Sequence, residues 1–253
     1  MKIQQIRNAT IIIEYAGRRF LVDPMLGEKG SFAPFPFSHH QELRNPLHDL
    51  PMKAEDIVHN IDCVLLTHLH LDHIDDAAYK LLNKSVHIFV QDEQDQNTVL
   101  SHGFTHVEII GEDSRFGDIL LSKTESRHGH WWMLPAAGHT CGYVMRHEAE
   151  PVCYLAGDTI WYNGVRRNID RWLPQVIIVN AGGNKFHLGG HVIMHIHDVL
   201  KTMNYAPGAT FVATHLEGVN HNQVTRVALR EEVMKCGKAD RIHIPEDGEI
   251  VEL

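Results

Sequence analysis

A chain of 253 residues, 43% hydrophobic and 22% charged, has the length of one α/β domain with a sizeable core, which excludes a disordered or fibrous protein. Its net charge of −9 speaks against nucleic acid as a partner, because phosphate-backbone binders present a basic face. No apolar run approaches the roughly 20 residues that span a bilayer, and the opening residues lack the apolar stretch of a signal peptide. Cys63, Cys141, Cys153 and Cys236 form no C-x-x-C pair, so a reduced, cytoplasmic setting is expected.

Runs rich in β-branched and aromatic residues predict strands at 10–15 and 20–23. Residues 26–51 then read as a loop. Gly27, Gly30, Pro34, Pro36, Pro46 and Pro51 break any regular element, while Phe32, Phe35 and Phe37 argue against plain disorder. A loop of that length reads either as a flap over a substrate or as a seal on the core edge. Further strands are predicted at 61–67, 86–90, 107–110, 119–122, 142–146, 152–156, 176–180, 210–214, 241–244 and 250–253. Helical spacing appears in Ile74, Ala77, Ala78, Leu81 and Leu82, and again in Ile193, Ile196, Leu200 and Met203. A third helix is predicted over 222–236, closed by Gly237. Many strands with a few helices among them predict a single α/β domain over 1–253, with two sheets and helices outside them.

Histidine is abundant, at 21 residues, and its placement carries the functional reading. After the apolar run Val64–Leu66 the chain continues as His68-x-His70-x-Asp72-His73. Residues two apart on an extended stretch point the same way, so His68 and His70 can grip one ion together. Asp72 and His73 fall where the next helix begins and turn toward a neighbouring position. Nitrogen and oxygen donors of this kind suit zinc or another borderline divalent ion. Four other predicted strands run into a suitable residue: Asp23, His128, Asp158 and His215. If those ends share one edge, their side chains converge.

The H-x-H-x-D-H box, the later Gly157-Asp158-Thr159 and the strand-ending His215 resemble the metallo-β-lactamase superfamily. Within it, Asn45-Pro46-Leu47, His128-Gly129, Gly142-Tyr143-Val144, Asn180-Ala181-Gly182, Asn220-His221 and Thr225-Arg226 resemble the branch that contains L-ascorbate-6-phosphate lactonase. The resemblance implies a four-layer αβ/βα sandwich and two metal ions. It assigns His68, His70 and His128 to the first ion, and Asp72, His73 and His215 to the second. Asp158 would bridge both, and Asp23 would orient a ligand histidine.

The superfamily's commoner third-histidine pattern reads G-H-T-P-G, and Gly138-His139-Thr140-Cys141-Gly142 comes close to it. His139 therefore competes with His128, which is preferred because it ends a strand and precedes Gly129; His130 is a further rival. His187, His191, His195 and His197 are expected on a solvated helix face. His221 is expected to face the site as a proton donor, with Asn220 capping the following helix. Arg226 could hold an anionic group of the substrate or form an exposed structural pair.

The expected activity is hydrolysis of an ester, lactone, amide or phosphodiester of a small molecule. Two divalent ions, zinc first with manganese or iron as substitutes, would share a water held as hydroxide. Asp72 would orient it, with His221 or Tyr162 assisting the leaving group. The rivals are an iron-dependent oxidoreductase on the same fold, a nuclease-like phosphodiesterase, and a non-catalytic metal binder. A homo-oligomer is compatible with the sequence.

Overall fold

The protein is described from a computed structural model covering residues 1–130 and 138–253. Strands β1 (Lys2–Arg7), β2 (Thr10–Tyr15), β3 (Arg18–Val22), β4 (Cys63–Leu65), β5 (His87–Val90) and β6 (His106–Ile109) join β16 (Ile250–Glu252) in one sheet, ordered β16-β1-β2-β3-β4-β5-β6. The second sheet takes β7 (Ser114–Phe116), β8 (Ile119–Glu125), β9 (Cys141–His147), β10 (Glu150–Leu155), β11 (Val176–Asn180), β14 (Thr210–Thr214) and β15 (Ile242–His243), ordered β15-β14-β11-β10-β9-β8-β7. A small hairpin pairs β12 (Lys185–Phe186) with β13 (Gly190–His191).

Period-two alternation sorts the apolar residues of each strand between two cores. Ile11, Ile13, Phe20 and Leu65 meet Leu121, Tyr143, Leu155 and Ile178 between the sheets. Their neighbours Ile12, Leu21 and Val64 face outward onto Ile57 of α1 (Ala54–Val58), Ala78 of α2 (Asp76–Leu81) and Val99 of α3 (Glu93–Ser101). On the far side, Tyr154, Ile177 and Phe211 face α4 (Asn163–Trp172), α5 (Ile196–Tyr205) and α6 (Arg226–Lys235) through Val165, Ile169, Met203 and Leu229. The result is the expected four-layer αββα sandwich. Among the described residues, no helix is long and apolar enough to cross a membrane.

The helices begin later than their periodicity predicts, because caps set the boundaries. Asp75 caps α2 by accepting from the Ala78 N–H at 2.9 Å. Thr225, not Asn220, caps α6, through Ala228 N–H at 3.1 Å. His195 sits just before α5 and His191 on β13, so these two histidines do not share a helix face. Gly237 follows α6 with φ 63°, as expected of a residue that ends a helix.

Strands β3, β4 and β5 run parallel, as do β10, β11 and β14, so their carboxyl ends lie along one edge of the sandwich. The 26–51 loop closes over that edge and is tied down. The buried Arg7 guanidinium donates to the carbonyls of Met25, Gly27 and His48 at 2.8 to 2.9 Å, holding both ends of the loop. In the middle, Asn220 donates to Ser38 Oγ at 2.9 Å and the His39 carbonyl at 2.7 Å, and its Oδ1 accepts from the Phe35 N–H at 2.9 Å.

Candidate metal centre

Each site residue follows the end of a strand. Asp23 follows β3, the His68–His73 box follows β4, Asp158 follows β10 and His215 follows β14. Two of them, Asp23 (φ 45°) and His215 (φ 60°), take the left-handed backbone region themselves, as does Asn8 (φ 55°) in the β1–β2 turn. A side-chain-bearing residue there costs about 1–2 kcal/mol, and such strain collects where function holds it.

Two donor groups form. His68, His70 and His128 converge in one, and Asp72, His73 and His215 in the other; Asp158 joins His68 and His73 between them. Hydrogen bonds on the far sides of the rings fix which nitrogens face inward. His128 Nδ1 lies 3.0 Å from the Val192 carbonyl, which can only accept, so the proton sits on Nδ1 and Nε2 keeps its lone pair. His73 Nδ1 lies 2.8 Å from Asp23 Oδ2, with the same consequence. Asp23 also takes the N–H and hydroxyl of Thr67, each at 2.8 Å. With that hydroxyl proton given away, Thr67 Oγ1 accepts from His68 Nδ1 at 3.1 Å.

The inward-facing nitrogens and carboxylate oxygens crowd together. His73 Nε2 lies 3.2 Å from His215 Nε2 and 3.2 Å from Asp158 Oδ2. His215 Nε2 lies 3.3 Å from Asp72 Oδ2, and His68 Nε2 lies 2.9 Å from His70 Nδ1. So dense a buried set of nitrogen and carboxylate donors calls for positive charge among them, a proton in the metal-free protein or a metal ion in its place. The donor set thus fits divalent metal.

The electrostatics agree. Burial opposes charge on His73, but Asp158, Asp23 and Asp72 outweigh it and push its pKa well above the ordinary value: the cluster draws a positive charge inward. Burial likewise opposes ionisation of Asp158, and His73 and His215 still hold it well below the carboxylate range. Asp72 is held down in the same way, by His73 and His215 against its burial. On the other side, burial lowers His128 to about 4 and drives His68 far below normal, leaving neutral ligating rings. Asn180 Nδ2 donates to Asp158 Oδ1 at 2.5 Å and fixes the carboxylate's orientation.

The seven residues expected to bind metal are all brought together. Asp23 takes its expected place behind His73. His139 is exposed, and its backbone carbonyl accepts from Gln91 at 2.8 Å; His130 is exposed too. His221 is buried against Phe35 and Phe186, near enough to Asp72, His215 and His128 to feel their charges.

Two expectations need correction. Tyr162 does not join the others. Beyond Asp158 the Ile160 N–H bonds to the Arg127 carbonyl at 3.0 Å, and the chain passes into the outer helical layer. There Tyr162 begins α4 under the Arg127 guanidinium, 4.4 Å away, and burial raises its hydroxyl to about 12. Arg226 is neither exposed nor free for a substrate anion. It is buried and committed to Glu217 at 2.7 Å, Asp247 at 2.5 Å and the Pro245 carbonyl at 2.8 Å. Asn8 and Thr67 escaped the sequence reading. Asn8 braces the site through the Asp72 carbonyl at 3.1 Å, and its only signal was an asparagine, a common turn residue, just ahead of the first predicted strand.

Convergent histidines and carboxylates at the strand ends of an αββα sandwich define a metal-dependent hydrolase of the metallo-β-lactamase fold. The chain belongs to the beta-lactamase superfamily domain family, which it matches over residues 18–216. It is 42% identical over 250 residues to the UPF0173 protein YddR of Bacillus subtilis (strain 168), covering 98% of each chain. The crystal structure of isothiocyanate hydrolase from Delia radicum gut bacteria superposes with a TM-score of 0.96 at 38% identity, covering 100% of this chain and 99% of that one. A possible metal-dependent hydrolase from Veillonella parvula DSM 2008 gives 0.97 at 34% identity, with the same coverage.

Proposed function

We propose that this hydrolase holds two divalent ions, zinc by preference, and adds water to an electrophilic carbon of a small uncharged substrate, with isothiocyanates as the first class to test. The observation that carries the reading is the convergence of His215 Nε2 and Asp158 Oδ2 on His73 Nε2, each at 3.2 Å, among further histidine and carboxylate donors. Seven donors are more than one tetrahedral ion takes, which supports two. When bound, the ions supply Lewis-acid activation of water and of the electrophile.

The chain's own residues do the rest. Asp158, fixed by Asn180, holds the two halves in register. Asp72, kept ionised, can accept a hydrogen bond from the attacking water and orient it. Phe35 and Phe186 offer an apolar wall beside these polar groups. The isothiocyanate class comes from the 38%-identical hydrolase. Its chemistry, water added to R–N=C=S to give an amine and carbonyl sulfide, asks for the same carbon electrophile as an ester or lactone.

The test is metal analysis of the purified, zinc-replete protein alongside hydrolysis of benzyl isothiocyanate and p-nitrophenyl acetate. Close to two ions per chain and turnover of the isothiocyanate support the reading. Less than one ion would sink the dinuclear part, and a silent isothiocyanate assay the substrate class. Asp158→Ala is expected to abolish turnover and release metal while the circular dichroism spectrum stays native.

A further inference from the structure

His221 follows β14 in the loop that leads to α6, its ring between Phe35 at 4.6 Å and Phe186 at 5.2 Å, centroid to centroid. Its protonation can be traced back to two backbone groups that cannot change role. Asn222 Oδ1 accepts from the Val219 N–H at 2.9 Å, and Asn222 Nδ2 donates to the His215 carbonyl at 3.2 Å. The same Nδ2 donates to Asn184 Oδ1 at 2.5 Å. The Asn184 amide is thereby oriented, and its Nδ2 faces His221 Nε2 at 3.1 Å. An N–H aimed at Nε2 requires a lone pair there, so the imidazole proton sits on Nδ1. That Nδ1 is buried and has no hydrogen-bond partner among the described residues. A buried donor left unmatched costs about 1–3 kcal/mol, and such a group points to something that completes it. The charged groups that His221 feels are those of the metal centre: Asp72, His215, His128 and Asp158.

We propose that His221 is a positioning residue, a neutral N–H donor of fixed tautomer that receives an acceptor atom of the substrate while Phe35 and Phe186 receive an adjoining apolar group. The expectation of a proton donor is thereby replaced: an Nδ1–H whose Nε2 is already engaged by Asn184 holds its proton throughout turnover. The substrate this wall fits is small and uncharged, with a nitrogen, oxygen or sulfur acceptor next to a hydrocarbon substituent. The proposal rests on the hydrolase reading above for its substrate, but not for its donor.

Three measurements on zinc-loaded protein test it. In histidine 15N NMR, the resonances missing from His221→Asn are expected to report the Nδ1–H tautomer, unchanged across about pH 6 to 8. Affinity for thiocyanate, a non-hydrolysed ion with the same N–C–S end, is expected to fall about tenfold in His221→Phe, the worth of one hydrogen bond. It should recover to within about threefold in His221→Asn, whose amide restores a donor near the lost Nδ1–H. Benzyl isothiocyanate kinetics should follow the same order, with the loss mainly in KM and the zinc content equal in all three proteins. An Nε2–H tautomer, titration of His221 within that range, or wild-type thiocyanate affinity in His221→Phe each overturns the proposal. If the wild type leaves the isothiocyanate untouched, the substrate reading fails, while the tautomer and thiocyanate measurements still judge the donor.

Discussion

The Nδ1 of His73 and the Oδ2 of Asp23 lie 2.8 Å apart, and this one bond determines which nitrogen His73 turns toward the metal centre. Asp23 touches none of the inward-facing donors itself. Carboxylates in this position typically contribute about 10- to 100-fold to metal affinity. Asp23→Ala is expected to weaken metal binding by that factor, measured by competition with a chromophoric chelator. An unchanged affinity would show that packing alone holds the ring.

The third histidine of the first donor group is a second test. His128 is buried and converges with His68 and His70, whereas the His139 side chain is exposed. His128→Ala should lose metal and activity together, and His139→Ala should keep both. Metal content and turnover of the two variants, prepared side by side, give the answer; the reverse pattern would move the ligand to Gly138-His139-Thr140.

Arg7 offers a test of stability rather than chemistry. Its guanidinium meets three carbonyls at the two ends of the 26–51 loop, and burial lowers its pKa to about 10. Arg7→Ala leaves those carbonyls unmatched and opens a cavity, at a cost of about 3 kcal/mol or more. A lowered melting temperature is expected, together with faster proteolytic cleavage within residues 26–51. Equal protection of the loop in the variant would mean that Asn220 suffices to hold it.

Acid should destabilise the metal-free protein well above the carboxylate range. His128, near 4, and His221, near 3, stay neutral in the fold because burial disfavours their charged forms, while unfolded histidines take protons below 6.5. The unfolded state then binds more protons, and each group removes about 1.4 kcal/mol of stability per pH unit between 6.5 and its folded value. His73 is raised, so its contribution is complete below 6.5 and fades only as pH climbs through its higher folded value. Asp72 and Asp158 are depressed, and their contributions are lost only below about 3.8. Between 6.5 and 4 the slope therefore belongs to the neutral histidines. Urea unfolding of chelator-treated protein should give a midpoint that drops steeply from pH 6.5 to 5; a flat profile contradicts the neutral assignments.

The converging histidines and carboxylates were legible because ligand chemistry leaves a local pattern: His68, His70, Asp72 and His73 are close together in the chain, and the rest each follow a strand. The outer layers were less legible. Helix α3, with the sequence EQDQNTVLS, buries only Asp95 and Val99, too few for a periodic apolar signal. Strand β1 buries Gln5 and Arg7 beside its isoleucines, so its pattern reads as polar. Tyr162 was misplaced for a different reason. Sequence distance from Asp158 says nothing about whether the chain four residues on still faces the site or has already entered the outer helical layer. Asn8 depends on a contact with Asp72, 64 positions away, which no local pattern encodes.

The fastening of the 26–51 loop gives it a modular character. Arg7 grips its two ends and Asn220 its middle, yet none of the metal-facing side chains comes from within it. The segment between those clasps behaves as a cassette: exchanging residues around Phe35 would recut the apolar wall beside His221 and leave the reactive centre untouched. A scaffold built this way can change what it accepts without relearning how to react, and a library confined to about ten positions of that loop is the shortest route to new substrate ranges.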